Sequence, residues 1–360
     1  MSAAKEGTAR EGKHPSTTRR VIQSVLSLAL VVAIFWFVFK GINFREVWDH
    51  IRDMTWLEVT TLLVVAFWNL ATYALVWMSV TPGLSFWHAF VLAEASTAVG
   101  NTLPAGAAVG IGVTYQMLGS WGLSGSRRTV AILVSGVWNS FIKLGMPVLA
   151  LALLAVTGAV SPARITLAAA GVAGLAAAIV VFALMLRSER NAERVGLLAG
   201  RAASRLLALI RRPPVRGWEI ATTRFRQRTI GLVAHRWLWI TVVSLVSHLS
   251  LYAVLLLALR HVGVSEAEVS WVEVLAVFAF ARLATAVPFT PGGLGVVEAV
   301  LIAGLAAAGG DREQVTAAVL VYRALTWFLP IPVGVGTYLW WRGSTIHAEE
   351  AEPAVAEGSP

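Results

Sequence analysis

The chain has 360 residues, of which 57% are hydrophobic and only 14% charged, with a mean hydropathy of +0.71 and a formal net charge of +9. Several stretches exceed the roughly 20 apolar residues that a bilayer-spanning helix needs, so the composition points to an integral membrane protein and against a water-soluble domain. Cysteine is absent, which removes disulfides, thiolate metal sites and cysteine nucleophiles together.

Residues 1–20 form a basic tail. Residues 21–39 read as the first span: the run is too long, and too closely followed by further spans, to be a cleaved signal peptide, and no small-residue cleavage site follows it. Residues 41–55 read as a mixed-charge loop. Span two covers 56–80, with Trp56 and Trp77 near its ends as interfacial anchors. The next apolar segment, 87–118, is interrupted by NTLPAGAAVGIG (101–112), which predicts two short helices flanking a break at 101–104. A link at 121–128 leads to span three (129–156) and span four (165–186).

Residues 187–236 carry twelve arginines against Glu189, Glu193 and Glu219. A basic stretch invites nucleic-acid binding, but the flanking spans favour a topology signal and contact with lipid headgroups, so no nucleic-acid partner is expected. Within it, Val195, Leu198, Ala202, Leu206, Leu209 and Ile210 recur at helical spacing, and Arg194, Arg201, Arg205 and Arg212 lie beside them. This predicts an interfacial helix over 190–212, ended by Pro213 and Pro214. Span five covers 237–259. The second interrupted segment, 271–308, contains AVPFTPGGLGVVEA (286–299). Span six covers 315–341, and 343–360 form an acidic tail expected to be disordered.

The expected fold is therefore all-α and polytopic, with six spans and two broken re-entrant helical hairpins in a membrane domain over 21–342. Placing the N-terminus in the cytoplasm puts the Lys/Arg excess inside, as the positive-inside rule requires, and makes both termini of this multi-pass inner or plasma membrane protein cytoplasmic. Three spans separate the two breaks, so the hairpins would enter from opposite faces. Units 56–156 and 237–341 would then be inverted repeats. Pro104 and Pro291 lie 187 positions apart, Trp138-Asn139 and Tyr322-Arg323 lie 184 apart, and Pro147 has counterparts in Pro330 and Pro332. The competing reading is that membrane helices use Gly and Pro freely.

A break in an apolar helix frees backbone polar groups, and inside a bilayer that is tolerated only where protein or a water-filled cavity satisfies them. Paired breaks therefore point to a transport-type binding site. The first break contributes Asn101, Pro104 and Gly106; the second contributes Pro291, Gly292, Gly293 and Gly295. Ionisable residues at membrane depth are functional candidates by default, and here they are Glu94, Lys143, His248, Glu273, Arg282, Glu298 and Arg323. Glu273 lies near a helix end and suits the surface; His248, alone, suits a hydrogen-bonded packing role. Arg282, Glu298 and Arg323 surround the PGGLG break, and Lys143 sits deep in span three. The amides opening the helix after Pro291 are expected to receive a phosphate or carboxylate. Arg282 or Arg323 would pair with Glu298 or fork onto the phosphate. The alternative is a structural Arg–Glu pair with tight glycine packing. PGGLG lacks the Lys-Ser/Thr of a nucleotide loop, Gly106 and Gly110 suit helix packing, and no metal or cofactor site stands out.

PFTPGGLGVVEA (288–299) with Tyr322-Arg323, and LPAGAAVGIGVTYQMLGSWG (103–122), resemble the lysylphosphatidylglycerol synthetase membrane-region family, also called flippase-like. The resemblance covers about residues 20–342. It implies a membrane protein related to the membrane domain of the multiple peptide resistance factor, which moves an aminoacylated phospholipid between leaflets. It also singles out Pro291, Gly292, Gly293, Gly295, Glu298 and Arg323. In that relative the membrane region is fused to a soluble aminoacyltransferase domain, which is not expected here, so the chain is not expected to be an enzyme. Many members carry Pro-x-Arg and an acid in the first break, where this chain has Pro104-Ala105-Gly106-Ala107. The expected function is translocation of a phospholipid or lipid-linked headgroup. The alternatives are secondary transport of a small anion, or a non-transporting membrane partner of a separate transferase.

Overall fold

The computed structural model describes residues 43–103, 106–156, 162–209, 217–285 and 290–356. The expected first span (21–39), Pro104, and the Pro213-Pro214 stop lie outside them. Every regular element among the described residues is helical. The segment read as a loop before span two contains a short helix, α1 (Phe44–Arg52), because Asn43 caps it by accepting the Arg45 N–H at 3.2 Å. The elements that follow are α2 (Trp56–Val80), α3 (Phe86–Thr102), α4 (Gly106–Ser120), α5 (Gly125–Val156) and α6 (Pro162–Arg187). Then come α7 (Glu189–Leu209), α8 (Trp218–Val262), α9 (Trp271–Ala284), a 3₁₀ turn at Pro291–Gly293 and α10 (Val296–Ala307). The last are α11 (Arg312–Arg323), a π-turn at Ala324–Phe328 and α12 (Pro330–Ala356).

Four runs among the described residues are long and apolar enough to cross a membrane: α2, α5, α8, and the continuous stretch Arg312–Ser344. By contrast α3, α4, α9 and α10 have 17, 15, 14 and 12 residues, short of the roughly 20 a span needs. They form two helical hairpins, α3–α4 and α9–α10.

The hairpins sit at opposite ends of the long helices. One hydrophobic core joins α3 and α4 to Val80 at the end of α2, Val130 and Val134 near the start of α5, and Ile240 midway along α8. The other joins α9, α10 and α11 to Leu62 near the start of α2, Met146 and Ala150 late in α5, and Leu255 to Leu259 near the end of α8. Exposed tryptophans mark both ends: Trp56 and Trp271 at one, Trp87, Trp237 and Trp340 at the other. Such rings favour the level of the headgroups, so their separation frames an apolar slab.

Helix ends follow local chemistry. Thr55 and Glu58 cap α2 reciprocally, and Ser270 and Glu273 do the same for α9. Glu273 is thus a surface cap. Pro330 and Pro332 lack the N–H that would pair with carbonyls one turn back, and the helix widens there, with the Leu329 N–H reaching Ala324 O at 2.8 Å.

Two further expectations change. Span five is the second half of α8, a 45-residue helix that begins at Trp218 inside the arginine-rich connection. The segment after span six, expected to be disordered, is helical to Ala356. The expected interfacial helix is present as α7, and its small residues pack on α8. Ala192 and Gly196 turn toward the start of α8, while Leu198 is 63% exposed. The contact is close: a Cβ on Gly196 would lie 2.6 Å from the Trp218 carbonyl. The Thr222 hydroxyl donates to Ala192 O at 2.8 Å, and Arg226 Nε donates to Leu186 O at 2.9 Å. Small residues win this face because they let two backbones approach, which leucines prevent.

Candidate functional site

The tips of the two hairpins meet. The chain turns from α3 to α4 tightly, with the Gly106 N–H bonded to Leu103 O at 2.9 Å. A Cβ at Gly106 would fall 2.6 Å from both Gly100 O and Val99 O, so only glycine fits the turn. Gly110 lies one turn on, where a Cβ would sit 3.0 Å from Ser96 O, in keeping with a packing role. From this tip Asn101 reaches across to the π-turn, its Nδ2 donating to Trp327 O at 3.1 Å.

The second tip is built by PGGLG. Pro291 begins the 3₁₀ turn, and Gly292, Gly293 and Gly295 all hold positive φ (57°, 72° and 83°), a region costly for other residues. A Cβ on Gly292 would also lie 2.8 Å from Asn101 Oδ1 and 2.7 Å from Trp327 Cδ1. Gly293 abuts Thr285 and Val297, and its N–H bonds Thr290 O at 3.1 Å. Glu298, 2% exposed, closes the turn from the first turn of α10: its Oε2 accepts the Gly295 N–H at 2.8 Å. Its Oε1 accepts from Arg323 Nε at 2.7 Å. Arg323 Nη2 donates to Gly292 O at 3.3 Å, and its guanidinium lies 5.7 Å from the Trp327 ring.

Of the amides expected to receive a phosphate, the Gly295 N–H is taken by Glu298 in this structure. The helix start is capped by the protein's own carboxylate, which supplies the negative charge an N-terminus attracts. Arg323, rather than Arg282, takes Glu298 as its partner.

Between the tips lies a cavity of about 110 Å³, lined by residues that include Tyr73, Glu94, Asn101, Arg282, Arg323 and Trp327. Three of its polar atoms make no hydrogen bond to a described residue: Glu94 Oε2, Arg282 Nε and Trp327 Nε1. Glu94, on α3, is 1% exposed. Helix α12 passes close beside it, because Gly334 packs on Glu94 O and the Ala98 methyl. Asn69 pins the α2 wall to α8 through bonds to Ser250 Oγ at 2.7 Å and Ser247 O at 3.2 Å. A buried acid and a buried guanidinium nitrogen with no described partner are costly, and both belong to residues that line this one cavity.

The structure thus unites Arg282, Gly292, Arg323 and Asn101 around the cavity and sets Glu298, Gly293 and Gly295 behind it. Lys143 is not among the lining residues; its Nζ donates to Thr285 Oγ1 at 3.2 Å, where it braces the end of α9. His248 bonds Ser244 O at 2.9 Å within its own helix. Glu94 is the charged lining residue absent from the expected binding set. Its signal was the one acid of α3, in a hairpin whose tip carries no charge.

Among families, the profile described as lysylphosphatidylglycerol synthase TM region matches residues 24–334 of this chain. No curated protein matches it.

Proposed function

The chain belongs to the lysylphosphatidylglycerol synthase TM-region family, which is membrane-embedded and lipid-related, and on that premise we propose that it moves a phospholipid, or a lipid-linked polar headgroup, between leaflets. The observation that carries the reading is the half-buried Arg282, whose Nε meets no described partner in a cavity that also holds Glu94 and Arg323. Arg282 receives the phosphate of an anionic or zwitterionic headgroup as a charge-assisted, two-pronged contact. Arg323, held by Glu298, adds a second guanidinium in a fixed position. Glu94 offers a carboxylate to any cationic part of the headgroup. The acyl chains stay in lipid.

In this reading α3–α4 and α9–α10 are re-entrant hairpins of an inverted repeat that enter from opposite faces of the cell membrane. Support comes from the two cores at opposite ends of α2, α5 and α8, and from the contact of the tips through Asn101, Gly292 and Trp327. Half-length helices meeting at mid-depth are how transport folds bring polar backbone to a central site.

The test is a purified full chain in liposomes with fluorescent phospholipids, in which the outer-leaflet label is quenched chemically. Wild type should equilibrate at least one lipid across the bilayer. Arg282→Gln should slow that movement by roughly tenfold or more, the loss of one buried charge-assisted contact. Equal rates for the two proteins would take Arg282 out of the mechanism. The cavity volume also suits a free small anion. Uptake of labelled phosphate or a carboxylate, without movement of any lipid, would establish that second reading instead.

A further inference from the structure

At the arginine-rich end of the bundle, outside the central cavity, a second cavity of about 350 Å³ opens between the α2–α3 turn, the start of α5 and the first half of α8. Its charged walls are Arg127, Arg228 and Arg236, joined by His235, and no acidic residue lines it. Arg228, Leu232, His235 and Arg236 recur at helical spacing, so one face of α8 presents them together. Arg127 is steadied from the other wall, its Nη2 donating to Pro82 O at 2.9 Å. The ion pairs among the described residues engage Arg226, Arg260, His261 and Arg323, not these three. A second observation is independent of charge. Thr81 is 3% exposed and lines the same cavity, yet its hydroxyl has no partner among the described residues. A buried hydroxyl left unsatisfied costs free energy unless something bonds to it.

We propose that this cavity is a binding site for the phosphate of an anionic glycerophospholipid, held by Arg127, Arg228 and Arg236 with the Thr81 hydroxyl as an additional donor. The shared chemistry is a phosphate oxyanion. The lipid source follows from position: the residues after Arg236 are Trp237, Leu238 and Trp239, all exposed, so the arginines lie one turn from the start of the aromatic and apolar surface. Basic pockets between membrane helices at that level suit headgroups, and each nearby cation adds to the attraction. The site joins three chain segments, so an occupying lipid ties α8 to the base of the first hairpin. It does not depend on translocation through the central cavity.

The test titrates the full chain in detergent with phosphatidylglycerol, phosphatidylcholine and inorganic phosphate, and counts bound molecules by native mass spectrometry. Phosphatidylglycerol should fill one class of site roughly tenfold or more tighter than phosphatidylcholine. The double variant Arg228→Gln/Arg236→Gln should abolish that preference, and Arg228→Lys/Arg236→Lys should keep most of it. Arg224→Gln, an exposed arginine on the same helix that does not line the cavity, should change affinity by less than about twofold. Gel filtration and helical content of the double variant should match wild type, since its side chains support no core. An unchanged lipid preference in the double variant, or an equal loss in Arg224→Gln, would overturn the site. Displacement of the lipid by millimolar inorganic phosphate would overturn the lipid as its occupant.

Discussion

Glu298 meets two demands with one carboxylate. It terminates the glycine turn through the Gly295 N–H and neutralises Arg323 in a place from which water is nearly excluded. Replacing one partner of such a pair strands the other, at a cost of about 3–5 kcal/mol. Glu298→Gln should therefore lower the unfolding temperature of the detergent-purified protein strongly, and Glu298→Gln/Arg323→Gln should recover part of the loss. An unshifted transition in the single variant would show that the pair is dispensable. At Gly292 the demand is backbone space. Gly292→Ala puts a methyl against Trp327 and Asn101 and holds a left-handed conformation that costs roughly 1–2 kcal/mol by itself. It should destabilise the protein while Gly336→Ala, where nothing lies near the added carbon, does not. That Glu298 pairs with an arginine was legible in the sequence, because opposite charges in apolar helices have few other ways to be satisfied; that the arginine is Arg323 and not Arg282 was not. Glu94 was legible only as an oddity. What gives it a place is the approach of α12 across Gly334, a tertiary contact with no local signature.

Among elements, the two hairpins carry the argument. Their breaks were readable because Pro and Gly disrupt helices by rules that act within a few residues. The tightness of the first turn was not, since it depends on where the returning backbone passes. Gly106→Val should push α4 away from the Val99 and Gly100 carbonyls, and backbone cannot yield as a side chain can. The expected outcome is loss of the monodisperse peak in gel filtration, and a folded, active Gly106→Val protein would contradict the tight turn. Helix α7 teaches the reverse lesson. Counting leucines located the helix but not its protein partner: the face that packs on α8 is the one whose side chains are smallest, along Ala192 and Gly196. Hydrophobic periodicity finds a helix more reliably than it finds the helix's partner.

For the whole molecule, the proposed topology puts the α4–α5 link and the α8–α9 loop in different compartments. The absence of cysteine makes this directly measurable. Ser126→Cys and Ser265→Cys, both at exposed positions, should react with a membrane-impermeant thiol reagent from opposite sides, Ser126→Cys from the cytoplasm. Labelling of both from one side would refute the arrangement. Across the bundle, α8 extends over 45 residues without a proline, or about 68 Å at 1.5 Å per residue, more than twice the roughly 30 Å of a hydrocarbon core. The same unbroken rod bears Arg228 and Arg236 near one end and Leu251, a wall of the central cavity, toward the other. No proline joint separates the two regions, so a ligand held at Arg228 and one held in the central chamber would share a single continuous rod as their common wall.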